Sequence, residues 1–186
     1  QSSALYIHIP FCVKKCNYCG FYKESWDANL EKEFLSSLKK EIAFYTTNFP
    51  KLKITSLFIG GGTPSCLSNK GLHHLFEIVH RKFCFSEGAE QTIELNPDTV
   101  TKEKLDILKE FKINRISVGI QSFLDEELVF LGRIHDSKKA ELAIDLIRKA
   151  GFKNYNFDLI FGLPGSTLDT LKRSLERALI LDPSHI

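Results

Sequence analysis

The alternation of short apolar runs with longer amphipathic segments constrains the fold of this chain more than any other feature. Strands are predicted where β-branched and aromatic residues cluster between Gly, Pro or Asn. The predicted strands are 5–9, 56–59, 91–95, 115–119 and 156–161. The predicted helices are 29–47, 69–82, 102–111, 138–150 and 167–181. This repeated order implies an α/β fold of parallel strands joined by right-handed crossovers.

The number of repeats indicates part of a (β/α) barrel with outer helices rather than a doubly wound sheet. Five strand–helix units are complete, and His185-Ile186 reads as the opening of a sixth strand. We therefore expect a partial barrel, truncated at the start of that strand. The hydrophobic content of 43% supports one core, so residues 1–186 are treated as a single core domain, the N-terminal part of a longer protein without its C-terminal domain.

Composition excludes several classes of function. The net charge of +2 gives no indication of a nucleic-acid partner. A membrane span needs about 18 consecutive apolar residues, and no run in the sequence reaches that length. The chain has five cysteines, three of them within eight residues, whereas a secreted disulfide framework would spread them in pairs. We therefore expect a cytoplasmic protein with a metal or redox site and no membrane span.

The clustered cysteines Cys12, Cys16 and Cys19 directly follow the first predicted strand. Three thiolates at this spacing can close around one face of a cuboidal iron–sulfur cluster and leave one iron open. The alternative is a structural zinc site, which would need a fourth ligand. The residues that could supply that ligand are His8, Cys66 and Cys84. Without such a role, Cys66 and Cys84 are expected to be buried, unreactive thiols.

Chemically distinctive residues also follow the later strands, where barrels of this class collect their function. Gly60 to Pro64 reads Gly-Gly-Gly-Thr-Pro, which lets backbone approach a ligand closely but also suits a plain flexible turn. Glu94 needs a partner if it faces a barrel mouth, and a cationic ligand would supply one. Arg133 can pair bidentately with a carboxylate, although a surface ion pair is the alternative. Asp158 interrupts an otherwise apolar strand and also needs a partner.

The segment Tyr6-Ile-His-Ile-Pro-Phe-Cys12, followed by Cys16 and Cys19, resembles radical S-adenosylmethionine (SAM) proteins. It looks most like the family of the oxygen-independent coproporphyrinogen III oxidase HemN and the haem chaperone HemW. The resemblance implies a 4Fe–4S cluster on the three cysteines, with the open iron chelating the amino and carboxylate groups of SAM. One electron then cleaves the sulfonium to methionine and a 5′-deoxyadenosyl radical, so the cofactors carry the chemistry.

The same resemblance assigns further residues to SAM, spread along five successive strands. The assigned residues are Tyr6, Tyr18, Gly61, Gly62, Thr63, Glu94, Gln121, Arg133, Asp158 and Ile160. It implies that the glycines and Glu94 contact the amino group, Arg133 the carboxylate, and Asp158 the ribose hydroxyls. Gln121 lies toward the ribose and carboxylate, while Tyr18 and Ile160 lie near the adenine. Tyr6 lies over the sulfonium and is the only candidate catalytic residue. His135 is as readily an ordinary loop histidine as a functional residue.

The cysteine motif also bears on the branch of the family. The oxidase branch carries a further cysteine two residues after the third, where this chain has Phe21. The order Cys16-Asn-Tyr-Cys-Gly-Phe21 resembles the chaperone branch, although Gly20 replaces an aspartate common there. The resemblance thus implies a haem chaperone with a SAM-cleaving domain, with haem, an electron donor protein and haem-acceptor proteins as partners. One alternative is an oxidase that acts on a porphyrinogen, coproporphyrinogen III. The other is a structural metal domain without SAM chemistry.

Overall fold

Strands and helices alternate along residues 2–186, the part of the chain that this computed structural model describes. The strands are β1 (Ser2–Ile9), β2 (Phe11–Cys12), β3 (Glu24–Ser25), β4 (Lys53–Gly61), β5 (Cys84–Leu95), β6 (Arg115–Gln121) and β7 (Tyr155–Leu159). The helices are α1 (Ala28–Asn48), α2 (Asn69–Lys82), α3 (Lys102–Glu110), α4 (Asp125–Phe130), α5 (Ser137–Lys149) and α6 (Leu168–Ile180). Single 3-10 turns follow β4 and β5 at Pro64–Cys66 and Pro97–Thr99.

The main sheet has five parallel strands in the order β1-β4-β5-β6-β7. Spatial order therefore follows chain order, as expected for successive strand–helix units. A parallel bridge between Asn156 and His185 lies beyond β7, where the sequence predicted a sixth strand to open. The predicted α/β fold of parallel strands with outer helices is confirmed. Within residues 2–186 the sheet is an open arc rather than a closed barrel.

The hydrophobic core lies between the outer side of this sheet and the helices. Strand residues alternate between two faces, so every second side chain points to the helices. Ile93, Val118 and Phe157 are fully buried there. Leu72 and Phe76 of α2 are buried with them in the same cluster. Full burial of one such side chain contributes about 1.5–3 kcal/mol, so this outer side supplies most of the stability.

Local end signals place the helices where the sequence predicted them. Thr101 is the N-cap of α3: its side chain accepts a hydrogen bond from the backbone N–H of Lys104 over 3.3 Å. Gly151 follows α5 with φ of +88°, a backbone conformation that glycine adopts without strain. These caps fix the helix bounds to within two residues of the prediction.

Several features differ from the sequence-based expectation, among them the start of β5 at Cys84 rather than at residue 91. The helix α4 and the short parallel pair of β2 with β3 were not predicted, since neither is long enough to show a period. The last strand ends at Leu159 rather than at residue 161, because Ile160 N–H leaves the ladder and donates to Gln121 O over 2.9 Å. The prediction that Cys84 is buried is wrong: it is exposed at the start of β5, where none of the first five residues of the strand is buried.

The helices of residues 2–186 include none with the length and apolar character that crossing a membrane requires.

Candidate functional site

A cavity of about 450 Å³ lies at the carboxyl ends of β4, β5, β6 and β7, beside the cysteine loop. Its volume falls in the range of roughly 300–1,000 Å³ that small-molecule sites occupy. The predicted site residues that line it are Cys12, Cys16, Tyr18, Cys19, Gly61, Gly62, Thr63, Glu94, Gln121, Arg133, Asp158 and Ile160. Residues from distant parts of the sequence therefore meet at one point, because parallel strands bring their carboxyl ends to the same edge.

The cysteine loop is held against the rest of the sheet by backbone hydrogen bonds. The loop begins at Phe11–Cys12 and ends at Glu24–Ser25, and these two short strands pair in parallel. In the middle, Asn17 N–H donates to Leu131 O over 3.1 Å, just after α4. The Asn17 amide also donates to Phe130 O over 3.1 Å. These contacts aim all three thiols into the cavity.

The three thiols differ in exposure and charge environment. Cys12 is buried, whereas Cys16 and Cys19 are partly exposed. Burial raises the pKa of the Cys12 thiol, and the Lys23 ammonium acts in the opposite direction. Lys23 Nζ also donates to Cys19 O over 2.5 Å, so a cation is fixed beside the loop. A metal that binds as a Lewis acid would complete the deprotonation of Cys12.

The arrangement of donors fits a cluster better than a single zinc ion. Across residues 2–186, no three His, Cys, Asp or Glu side chains converge closely enough to hold one metal ion. Of the proposed fourth zinc ligands, Cys84 begins β5 and so lies at the opposite edge of the sheet from Cys12, and Cys66 is buried in the turn after β4, outside the cavity lining. His8 is hydrogen-bonded to Tyr6 and to the carbonyl oxygen of Tyr22. Three thiols around an open cavity suit a cluster, in which each thiolate binds a different iron.

The glycine-rich turn after β4 packs directly on the start of the cysteine loop. Gly61 has φ of +117°, which disfavours any side chain. A Cβ on Gly62 would lie 2.6 Å from Phe11 O and 3.0 Å from Cys12 Sγ. Thr63 N–H donates to Phe11 O over 2.7 Å. The glycines are therefore required by close approach of two backbone segments, which excludes the plain flexible turn.

Glu94 presents a carboxylate to the cavity from the end of β5. It accepts one hydrogen bond, from Gly61 N–H over 3.2 Å. Desolvation by burial raises its pKa to about 7, and the nearby Asp158 carboxylate adds to the increase. Within the described residues, no Lys, Arg or His side chain donates a hydrogen bond to Glu94 or forms an ion pair with it. A cationic ligand would complete this environment.

Asp158 is held by a polar network on the cavity side of the sheet. Its carboxylate accepts from Ser117 Oγ over 2.8 Å and from Asn156 Nδ2 over 3.0 Å. Arg115 in turn donates to Asn156 Oδ1 over 2.7 Å. The partner that the sequence required for Asp158 is thus a set of side chains on β6 and β7, and the carboxylate stays accessible to the cavity.

Arg133 reaches the cavity from the turn after α4. One terminal nitrogen donates to Asn96 Oδ1 and Gly119 O, each over 2.8 Å. The other lies 3.5 Å from both Cys16 Sγ and Tyr18 Oη. Its Nε is buried without a hydrogen-bond partner. This guanidinium is fixed beside the cysteines, so the surface ion pair considered for it does not form.

The remaining predicted residues divide into two groups. Tyr18, Gln121 and Ile160 line the cavity, and Gln121 adopts φ of +72°, a strained conformation for a residue with a side chain. Tyr6 lies outside the cavity wall. It stacks on Phe58 with ring centroids 6.1 Å apart and lines a groove between β1 and α1.

The sequence analysis missed several residues of this site, among them Asn96 and Lys23. Asn96 bridges Thr63 and Arg133 by side-chain hydrogen bonds, and Lys23 lies beside the thiols. Asn96 could have been found as the polar residue before Pro97 at a strand end. His135, left open by the sequence, is buried with Nε2 3.2 Å from Ile120 O, away from the cavity wall.

Comparison with known proteins bears on this geometry. The family model described as "Radical SAM superfamily" matches residues 6–178. The heme chaperone HemW of Bacillus subtilis (strain 168) is 42% identical over 183 residues, which cover 97% of this chain and 48% of that protein. The oxygen-independent coproporphyrinogen III oxidase of Escherichia coli (strain K12) is 32% identical over 184 residues, 98% of this chain and 40% of that protein.

Among solved structures, coproporphyrinogen III oxidase (HemN) from Escherichia coli, a radical SAM enzyme, superposes with a TM-score of 0.90 at 32% identity. The superposition covers 97% of this chain and 42% of that chain. This chain therefore spans about half the length of the curated relatives it matches.

Proposed function

Because this chain belongs to the radical SAM superfamily, we propose that Cys12, Cys16 and Cys19 hold a 4Fe–4S cluster with SAM bound beside it. The superfamily implies both cofactors. One observation carries the proposal: three thiols, a carboxylate and a guanidinium line a single cavity at the carboxyl ends of the strands. Bound together, the two cofactors supply a one-electron reductive cleavage of the SAM sulfonium.

The charges around the cavity match the groups of SAM. Glu94 offers a carboxylate without a cationic partner, which suits the ammonium of the methionine part. Arg133 offers a guanidinium beside Cys16, which suits the methionine carboxylate. Asp158 offers carboxylate oxygens for the two ribose hydroxyls, and the network of Ser117 and Asn156 holds it in place. Each group binds and orients a different part of the same molecule.

The other assigned residues shape the space around those contacts. We propose that Gly61, Gly62 and Thr63 present backbone polar groups to the SAM amino group, and that Gln121 faces the ribose and carboxylate. Tyr18 and Ile160 flank the adenine as apolar walls. We also propose Tyr6 for the sulfonium: it stands outside the cavity wall, but burial and the Glu94 carboxylate raise the pKa of its hydroxyl, which indicates that it lies on the Glu94 side of the sheet.

Cysteine variants test the cluster assignment. Replacing Cys12, Cys16 or Cys19 with Ala should abolish the cluster absorbance of anaerobically reconstituted protein, since each thiolate holds one iron. Cys84→Ala is the matched control and should retain the full absorbance, because Cys84 lies at the other edge of the sheet. Equal loss from Cys84→Ala would show that the ligand set is wrong.

For the whole protein, we propose a haem chaperone that binds haem and transfers it to acceptor proteins. Relatives carrying the name HemW in several bacteria reach 42% identity. Phe21 also stands where the oxidase branch carries a further cysteine. Residues 1–186 would form its radical SAM core domain, with an electron donor protein reducing the cluster. No disulfide joins any two of the five cysteines, all of which lie in the described residues, and this suits a reducing cytoplasm.

The second candidate is an enzyme, an oxygen-independent coproporphyrinogen III oxidase. It is favoured by the TM-score of 0.90 with HemN and by 32% identity to that protein. In this reading the radical chemistry would oxidatively decarboxylate two propionates of coproporphyrinogen III to vinyl groups, which yields protoporphyrinogen IX. The cavity on the cluster side of the sheet is common to both candidates.

One experiment separates the two candidates. The full-length protein, reconstituted without oxygen, is incubated with SAM, a reductant and coproporphyrinogen III, and separately with haem. Stable haem binding with no decarboxylated product supports the chaperone and excludes the oxidase. Formation of a mono- or divinyl porphyrinogen supports the oxidase and excludes the proposed chaperone. The Cys12→Ala variant is the control for chemistry that depends on the cluster.

A further inference from the structure

A continuous chain of side-chain hydrogen bonds connects the Arg133 guanidinium to the Cys12 thiol. Arg133 Nη2 donates to Asn96 Oδ1 over 2.8 Å. Asn96 Nδ2 donates to Thr63 Oγ1 over 2.9 Å. Thr63 Oγ1 donates to Cys12 Sγ over 3.6 Å, a hydrogen bond to sulfur. Four residues from four segments of the sequence thus form one path along the cavity wall.

The direction of donation along this path is set by its arginine end. A guanidinium has five N–H donors and no acceptor, so Asn96 must turn its carbonyl oxygen toward Arg133. The amide NH₂ then faces Thr63, whose oxygen accepts that bond. The single hydroxyl proton of Thr63 remains, and Cys12 Sγ is the acceptor within reach. The path is therefore a one-way relay of donors toward the thiol.

Burial makes the last bond of the relay strong. Thr63 is 3% exposed and Cys12 is 7% exposed, so water does not compete for either group. The backbone of Thr63 is fixed by its N–H bond to Phe11 O, which holds the hydroxyl over the thiol. A hydrogen bond to an ionised acceptor in such surroundings is shorter and stronger than one between neutral groups.

We propose that Asn96 and Thr63 are positioning residues that direct an O–H donor at Cys12 and thereby raise the reduction potential of the cluster. This inference rests on the proposed function, since it requires Cys12 to be a cluster ligand. Hydrogen bonds to the sulfurs of a cluster stabilise its more negative, reduced form. Arg133 fixes the direction of hydrogen-bond donation along the relay. The group assigned to the SAM carboxylate is thus connected to the cluster through side chains.

Three single variants test the relay in the protein reconstituted without oxygen. Thr63→Val removes the hydroxyl and keeps the shape. Thr63→Ser keeps the hydroxyl. Asn96→Asp still accepts from Arg133, but a carboxylate has no N–H donor, so the Thr63 hydroxyl turns its proton to the new carboxylate and away from Cys12. The readout is the midpoint potential, from a dithionite titration followed by the electron paramagnetic resonance (EPR) signal of the reduced cluster.

Thr63→Val should lower the ratio of reduced to oxidised cluster at a fixed potential by about tenfold, which is about 59 mV for a one-electron couple. Thr63→Ser should restore the wild-type potential. Asn96→Asp should lower the potential at least as far, because its added negative charge acts in the same direction. The double variant separates the two causes: Thr63→Val in the Asn96→Asp background should add little, since the donor is already withdrawn.

Two results would overturn the inference while leaving the cluster in place. One is an unchanged potential in Thr63→Val, and the other is a full Thr63→Val shift in the Asn96→Asp background. If Thr63→Val does not assemble a cluster, electron–nuclear double resonance of the wild type and Asn96→Asp decides, because only the wild type should show the exchangeable Thr63 proton coupled to the cluster. A wild-type protein without a 4Fe–4S cluster would instead overturn the proposed function.

Discussion

The two faces of the five-stranded sheet are built from the same strands but from opposite kinds of residue. On the helix side, Ile93, Val118 and Phe157 are fully buried among apolar neighbours. On the cavity side, the adjacent Glu94 and Asp158 present carboxylates to open space. One face therefore supplies stability, and the other keeps polar groups available for a ligand at a cost in stability.

This contrast explains why the network on the cavity side is so extensive. Arg115, Asn156 and Ser117 connect three strands through side chains that all find partners. Satisfied polar networks of this kind hold a site rigid, whereas an unpaired group there would be costly. Glu94 is the exception with one backbone donor, and desolvation by burial, together with the Asp158 carboxylate, raises its pKa.

Phe157→Ala should produce the largest change, on the helix side. Removing a fully buried aromatic side chain leaves a cavity and destabilises a protein by about 3–5 kcal/mol, and Phe157 is 0% exposed. The free energy of unfolding, from urea denaturation of the cluster-loaded protein, measures it. A loss below about 1 kcal/mol, typical of surface positions, would contradict the contrast between the faces.

Asp158→Asn, one residue further, should behave in the opposite way. Its carboxylate is on the cavity side and the amide can still accept from one of its two donors, so the free energy of unfolding should fall by only about 0.5–1.5 kcal/mol, the contribution of one hydrogen bond. SAM affinity should fall roughly 10- to 100-fold, because a hydrogen bond to a charged group contributes about 1.5–3 kcal/mol. Equilibrium binding of SAM to the cluster-loaded protein measures this, with Phe157→Leu as a control that should keep its affinity.

The pH dependence of stability should reveal Glu94. Burial raises its pKa in the folded protein to about 7, above the ordinary value of 4.5. Folding thus favours the protonated form of Glu94. The stabilising contribution of this form to the free energy of unfolding is full below pH 4.5 and is lost as pH rises through about 7. The loss should be about 1–2 kcal/mol, discounted because the carboxylate is partly exposed to solvent. Glu94→Gln should remove this pH dependence from the unfolding free energy of SAM-free protein.

Ser117→Ala should have the smallest effect of the four. It removes the donor to Asp158 at 2.8 Å and the acceptor of the Asn156 amide at 3.0 Å, and leaves the bond from Asn156 to Asp158 in place. Stability should fall by about 1 kcal/mol, at the low end for two hydrogen bonds, because water in the open cavity can replace part of them. Ser37→Ala on the exposed side of α1 is the matched control and should not lower stability, because alanine is the better helix former. An equal loss in both variants would remove the support for the network.

The sequence predicted the contrast in part, because alternation along a strand follows directly from residue order. The five main strands, the helix ends at Thr101 and Gly151, and the cysteine motif all depend on neighbours in the sequence. The hydrogen bonds that link Thr63 and Arg133 through Asn96 do not follow from neighbours in the sequence. They depend on how β4, β5 and the turn after α4 are placed relative to one another. The exposure of Cys84 was missed for the same reason: burial at a strand's first residue depends on what packs beyond it.

The most direct test of the account is the EPR spectrum of the dithionite-reduced, anaerobically reconstituted protein with and without SAM. The account predicts about four iron and four sulfide per chain and a spectrum that changes when SAM binds to the cluster. A protein that holds zinc without sulfide, or a cluster whose spectrum is unchanged by saturating SAM, would contradict it.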